Sequence, residues 1–235
     1  MITTEGKKVI DLLDSSLTLE PIVAVSAGRV ELYCLDPASI FLLKSFIEID
    51  TEEDSEFVFS VNVPELVKKL KTVKKLELLS MKLIDNKLHV TAKGKGKVVE
   101  YSAMVYNAQD TRPQVNTIIE KSFGGESFSV PIDDFKDAVN SVDDTILLKT
   151  EGNQLSVIQE DTSNAYKTIL TLDNEFSVVS ATFKQKFVKQ ALNAFKSVED
   201  INLILEDNHP LRIYWEGIDK VGVYYLQAPM IKGGF

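Results

Sequence analysis

The chain has 235 residues, enough for one large domain or two of roughly 110–120 residues each. Its 44% hydrophobic and 26% charged residues exclude wholesale disorder. No apolar run approaches the roughly 18–20 residues of a bilayer span, because the densest, Ile40-Phe41-Leu42-Leu43, breaks at Lys44. The single cysteine, Cys34, cannot form an intrachain disulfide, so the composition predicts a protein of a reducing compartment, cytosolic or nuclear, with no membrane partner.

In chain order, the first expected element is a helix over Gly6–Asp14, with Val9, Leu12 and Leu13 inward, followed by a turn at Ala27-Gly28. Phe57–Val63 alternates apolar and polar residues as a strand does. Pro64–Lys75 then reads as an amphipathic helix, with Leu66, Leu70 and Val73 at i, i+4, i+7 and Lys68, Lys71 and Lys75 on another face. Lys87–Ala92 is a strand after the turn Asp85-Asn86. Asn107–Asn116 is polar, contains a proline and lacks apolar periodicity, which predicts a linker.

The second half repeats the order. Strand Ser127–Val130 precedes a helix over Ile132–Val142. Strands Thr145–Lys149 and Leu155–Gln159 flank an expected turn at Glu151-Gly152-Asn153, and strand Tyr166–Leu172 follows. Thr182–Ser197 reads as a second basic helix, capped by Thr182, with Phe183, Phe187, Ala191 and Phe195 as its apolar stripe and Lys186, Lys189 and Lys196 off it. Leu211–Trp215 is the last strand called by alternation. The two halves are offset by about 118–125 residues, a duplication of pattern. An α+β protein of two similar domains follows: residues 1–106, a connector over 107–118, and residues 119–235.

The net charge of −9 argues against nucleic acid when taken alone. Its distribution argues otherwise. Pro64–Lys75 carries five lysines and one glutamate, and Thr182–Ser197 carries four lysines and no acid, so the remaining chain holds −17. Lysines commonly do no more than solvate a helix face, but two basic helices in a strongly acidic chain point to a localised phosphate-facing surface.

No catalytic constellation is present. Gly94-Lys95-Gly96-Lys97 lacks the Ser or Thr and the leading glycine of a phosphate loop, since Val98 and Thr91 occupy those places. His89 and His209 have no partners at metal-ligand spacing. The acidic clusters Asp50–Asp54, Asp133-Asp134 and Asp143-Asp144 lack the spacing of a calcium loop and read as solvated loops or helix starts. Neither a metal nor any other cofactor is expected.

Leu35–Leu42 (LDPASIFL), Val61–Lys71 (VNVPELVKKLK), Asp207–Trp215 (DNHPLRIYW) and Tyr224–Ile231 (YYLQAPMI) occur in an order and spacing that resemble the archaeal and eukaryotic DNA sliding clamp, proliferating cell nuclear antigen (PCNA), over nearly the whole chain. The resemblance implies a non-enzymatic ring of three two-domain subunits, helices lining the hole and sheets outside. It encircles duplex DNA without reading sequence, as a processivity factor in replication and repair. On this likeness Lys7, Lys8, Lys68, Lys71 and Lys186 fall on DNA-facing positions, with Lys184 and Lys189 close by. Leu35, Ile40, Val115, Ile118, Pro210, Ala228 and Pro229 map onto the pocket that takes the PCNA-interacting peptide of DNA polymerase, clamp loader and other clients. Val98–Met104, with Tyr101 and Met104, would pair with Tyr166–Leu172, with Tyr166 and Ile169, of a neighbouring subunit. A homotrimer is implied, with a subunit of a hetero-oligomeric or checkpoint-type clamp as the alternative. Helix Ile132–Val142 departs from the family in carrying Asp133, Asp134 and Asp137 against Lys136 alone.

Overall fold

The computed structural model describes residues 2–38, 40–51, 56–107, 109–160, 165–195, 198–217 and 221–230. The chain forms two compact units. Unit 1 comprises Met1–Leu35, Leu43–Asn116 and Glu216–Gly222; unit 2 comprises Asp36–Leu42, Thr117–Trp215 and Val223–Phe235.

Unit 1 holds β1 (Ile2–Thr3), α1 (Gly6–Asp14), β2 (Ile22–Ser26), β3 (Arg29–Leu35), most of β4 (Phe41–Glu48), β5 (Phe57–Phe59), α2 (Val63–Leu70), β6 (Leu76–Ile84), β7 (Lys87–Gly94) and β8 (Lys97–Met104). Its strands form an antiparallel β1-β6-β7-β8 sheet and a β5-β2-β3-β4 run. The register Met81↔Val90 and Leu79↔Ala92 puts one apolar row of β6 and β7 on a common face. Those four side chains are buried, as are Val9, Leu12 and Leu13 of α1 and Leu66 and Leu70 of α2, which pack on that sheet. The period of 3.6 on the helices and of 2 on the strands thus meets in one core.

The helix expected over Pro64–Lys75 is shorter, and it takes Val63 away from the preceding strand. Asn62 caps it, its side-chain oxygen accepting from Glu65 N at 3.0 Å, with Pro64 in the first turn. It stops at Leu70 because Thr72 Oγ1 bonds back to Lys69 O at 2.8 Å and the chain must reverse into β6. Lys75 makes that reversal with φ +49°. Gly94 of β7 lies against the turn so closely that a Cβ there would sit 2.6 Å from Lys74 O.

The linker expected over Asn107–Asn116 is in part helical: α3 spans Arg112–Ser122. Asp110 starts it, Oδ1 accepting from Arg112 N at 3.0 Å while its carboxylate pairs with the Arg112 guanidinium. Only Val115 of α3 is buried, which is why no apolar stripe announced it.

Unit 2 holds β9 (Phe128–Pro131), α4 (Ile132–Asn140), β10 (Thr145–Glu160), β11 (Ala165–Lys184), α5 (Gln185–Leu192), β12 (Asp200–Ile204), β13 (Leu211–Glu216) and β14 (Val221–Gln227), the last two apart from their ends in unit 1. The run is β14-β13-β12-β9, with β10-β11 a separate hairpin. The turn expected at Glu151-Gly152-Asn153 is instead an irregularity within β10. The strand continues, Gly152 takes φ +58°, and the register slips from Thr150↔Val179 to Gln154↔Thr171. The second basic helix also begins later than its apolar spacing suggests. Thr182, Phe183 and Lys184 belong to β11, opposite Leu147, Ile146 and Thr145, so Thr182 caps nothing. Backbone Asp144 O receives Gln185 N at 2.9 Å, and Val188, Ala191 and Leu192 form the buried face of α5, with Phe187 half-buried. Lys196 and Ser197 lie outside the described residues.

Candidate nucleic-acid face and docking surfaces

The two helix pairs, α1–α2 in unit 1 and α4–α5 in unit 2, carry the basic residues on the sides turned from their sheets. In unit 1, Lys7, Lys8, Lys68, Lys69 and Lys71 are all exposed while their apolar neighbours are buried. Lys8 pairs with Glu5 at 2.5 Å and Lys71 with Asp14 at 2.7 Å. The Lys8 hydrogen bond, with help from Asp50 N, holds the Glu5 carboxyl below its usual range. Among the described residues no ion pair or hydrogen bond engages the Lys7 or Lys68 ammonium.

In unit 2, Lys186 and Lys189 are exposed on α5, the first with its ammonium 4.7 Å from the centre of its neighbour Phe187's ring. Lys184 is committed to Asp144, at 3.0 and 3.1 Å to the two carboxylate oxygens. The adjoining α4 exposes Asp133, Asp134 and Asp137, and Lys136 is half-buried.

Two unpaired sheet edges expose large apolar side chains. β8 is the outermost strand of its sheet and exposes Val98 (56%) and Met104 (59%), with Tyr101 half-buried. In β11, the stretch Ala165–Thr171 pairs with β10 on one side only and exposes Tyr166 (45%) and Ile169 (47%). Open apolar edges of this kind are templates for a further strand.

The residues assigned to the client pocket fall in both units. In unit 2, Ala228 N donates to Ile40 O at 2.8 Å and Met230 N to Thr182 O at 2.7 Å, which fixes the run containing Pro229 beside Ile40; Ile40 is exposed, and Ile118, Pro210, Ala228 and Pro229 are half-buried. In unit 1, Leu35 is half-buried at the end of β3, but Val115 is 0% exposed and offers no surface. Its position next to Asn116, whose Oδ1 accepts from Lys44 Nζ at 2.9 Å, makes it an anchor of α3.

Several residues escaped the sequence pattern. Glu31 receives Arg29 at 3.2 Å and Lys44 at 3.5 Å, and Lys44 lies 5.2 Å from the centre of the Tyr33 ring. Burial, then the Glu31 charge, pushes the Tyr33 phenol up to about 12. Phe123 packs edge-on against Tyr214 and Tyr224 at 5.7 and 5.2 Å, and buried Arg212 donates to Ser122 O, closing the end of α3. Gln227, which interrupts the terminal Leu-Ala-Pro run, is buried and satisfied: Nε2 donates to Lys184 O and Oε1 accepts from Tyr225 Oη at 2.6 Å. Only the alternation of charge and aromatic along β3 and β4 hinted at the first of these clusters. Cys34 is buried, which raises its thiol pKa. Among the described residues there is no group of three or more metal-binding side chains, and no helix is long and apolar enough to cross a membrane.

Paired helices on antiparallel sheets, twice over, are the architecture of the PCNA-type sliding clamp, and the chain has that fold. It is similar over 98% of its length, and 99% of the other's, to PCNA from Thermococcus kodakaraensis, with a TM-score of 0.77 at 16% identity. Against A. fulgidus PCNA bound to the C-terminal region of FEN-1, the coverage is 99% and 98%, with a TM-score of 0.74 at 17% identity. Against the PCNA2–PCNA3 complex from Sulfolobus tokodaii it is 97% and 99%, with a TM-score of 0.77 at 15% identity. No family model matches the sequence, and no curated protein does.

Proposed function

We propose that the chain is a subunit of a DNA sliding clamp, a non-enzymatic ring that encircles duplex DNA and tethers DNA polymerase and other replication and repair proteins. The observation that carries this reading is the agreement of fold along the whole chain with solved PCNA subunits, at 98% and 99% coverage and a TM-score of 0.77. In this reading residues 1–106 and 119–235 are the two clamp domains and residues 107–118 the connector. Lys7, Lys8, Lys68, Lys71, Lys184, Lys186 and Lys189 face phosphate, and clients insert an apolar peptide near Leu35, Ile40, Ile118, Pro210, Ala228 and Pro229. Such a clamp works in the cytoplasm of a prokaryote, or of cells carrying a virus that encodes it, or in a eukaryotic nucleus.

Lysines in such a ring act through charge alone, so they position the duplex without reading it. The homotrimer is the first form of the proposal. A hetero-oligomer is the second, favoured by the similarity to a complex of two different PCNA chains. The decisive experiment loads the protein with a clamp loader onto nicked circular DNA and follows retention after gel filtration. Retention on circles that is lost on linearisation supports a topological ring; equal behaviour on both forms overturns it.

A further inference from the structure

A groove of about 430 Å³ opens in unit 1 between α1 and the turn that follows α2. Its walls include the apolar Ile10 and Val73; Lys7, Lys71 and Lys75 line it against a single carboxylate, Asp11. Asp14 fixes Lys71 at 2.7 Å, whereas among the described residues nothing pairs with the ammonium of Lys7 or Lys75.

Lys75 is unusual in its backbone as well. A side-chain-bearing residue at φ +49° is sterically disfavoured and persists only where its surroundings hold it there. Here β7 holds it: a Cβ at Gly94 would meet Lys74 O at 2.6 Å and Lys75 O at 2.8 Å, so the strand closes directly on the turn. A fixed turn thus carries an unpaired cation into the rim of a groove that already has two.

Asp133, Asp134 and Asp137 outnumber Lys136 on α4, so that helix carries −2 against the +2 of Lys186 and Lys189 on α5, and Lys184 is occupied by Asp144. Over Val63–Lys75 five lysines face one glutamate and the charges of α1 cancel, +4 in all, whereas over the matching Thr182–Ser197 four lysines and no acid are offset by the −2 of α4, +2 in all. The greater net attraction to a polyanion therefore lies with the α1–α2 pair and the turn that follows it.

We propose that the duplex is gripped unequally: the groove between α1 and the turn that follows α2 is the principal phosphodiester seat, with Lys75 acting beside Lys7 and Lys71, and the α4–α5 pair adds less net attraction. This rests on the clamp reading for the nature of the ligand, duplex DNA. The test is fluorescence anisotropy of a short labelled duplex titrated with the purified protein over a salt series. Lys75→Asn removes the charge while keeping a residue that tolerates the left-handed backbone. It is expected to reduce the slope of log affinity against log salt by roughly 0.9. Lys189→Ala should reduce the slope by less than Lys75→Asn does, and Asp134→Asn with Asp137→Asn should tighten binding. A circular dichroism melt confirms that each variant is folded. An unchanged slope in Lys75→Asn, or a loss in Lys189→Ala equal to or greater than in Lys75→Asn, overturns the seat. Retention of the wild-type protein on circles separates the two ideas. Retention with a Lys75-independent slope sinks the seat alone, and a Lys75-dependent slope without retention sinks the clamp reading and keeps the seat.

Discussion

If β8 of one subunit joins the Ala165–Thr171 stretch of another, a carboxylate placed in that ladder must separate them. Val98, Met104, Tyr166 and Ile169 each leave about half of their surface in solvent, between 45% and 59%. At about 25 cal/mol per Å², burying that half is worth about 1–1.5 kcal/mol for each side chain, or about 4–6 kcal/mol per interface before ordering is charged against it. Ile169→Asp removes its share and adds the desolvation of a carboxylate, a further few kcal/mol. A combined loss of about 3 kcal/mol or more weakens each contact on the order of a hundredfold. Light scattering at micromolar concentration should show the wild type at about 79 kDa, three chains of 26.3 kDa, and both Ile169→Asp and Tyr101→Asp near 26.3 kDa with unchanged far-ultraviolet dichroism. Both variants keeping the wild-type mass would refute the pairing of these edges. A wild type that is itself one chain in mass would turn the argument to unlike partners.

A peptide of pattern Gln-x-x-aliphatic-x-x-aromatic-aromatic should bind in calorimetry, with Ile118→Ala and Pro229→Ala each weakening it while the protein keeps its wild-type mass in solution; undiminished binding in both moves the proposed client site elsewhere. Gly94→Ala drives a Cβ to 2.6 Å from the Lys74 carbonyl oxygen, a backbone atom that cannot step aside. A loss of about 1–3 kcal/mol is expected, seen as a drop of several degrees in Tm, and an unaltered melt would show that the turn yields freely. The Tyr33 phenol, raised from 10 to about 12, favours the folded state while it is protonated. That contribution is complete below pH 10 and is lost as pH climbs towards 12. Tyr33→Phe should therefore flatten the alkaline decline of stability in this window, and an identical decline in both proteins would count against the burial of the phenol.

The sequence showed α1, α2, α4 and the β7 strand because each has one buried face of the right period. It misplaced the start of α5 because Phe183 satisfies two periods at once. Phe183 stands four residues before Phe187, as on a helix, and two after the buried Ala181, as on a strand; pairing with Ile146 decides for the strand. Gly152 was ambiguous in the same way, since a left-handed glycine serves a turn and a bulge alike. α3 gave no signal, for one buried residue, Val115, makes no stripe. The exposed lysines were legible from spacing. Their neutralisation was not, because the Lys71–Asp14 and Lys184–Asp144 pairs join residues brought together only by the fold.

These differences bear on what similarity at 15–17% identity can carry. At that level two chains share apolar periodicity, turn geometry and little else, and those are the features that set the sheets and helix pairs. Exposed charges lie outside this constraint, since a substitution there usually changes stability within about 0.5 kcal/mol. α4 illustrates the freedom. Its buried Ile132, Phe135, Ala138 and Val139 keep the helix on its sheet whatever the exposed side bears, and the exposed side has become acidic. The fold therefore sets where the proposed duplex contact would lie, while exposed positions such as Asp134 and Lys189, which the fold leaves open, would set its strength. Variants at those positions can report on DNA contact with the architecture unchanged.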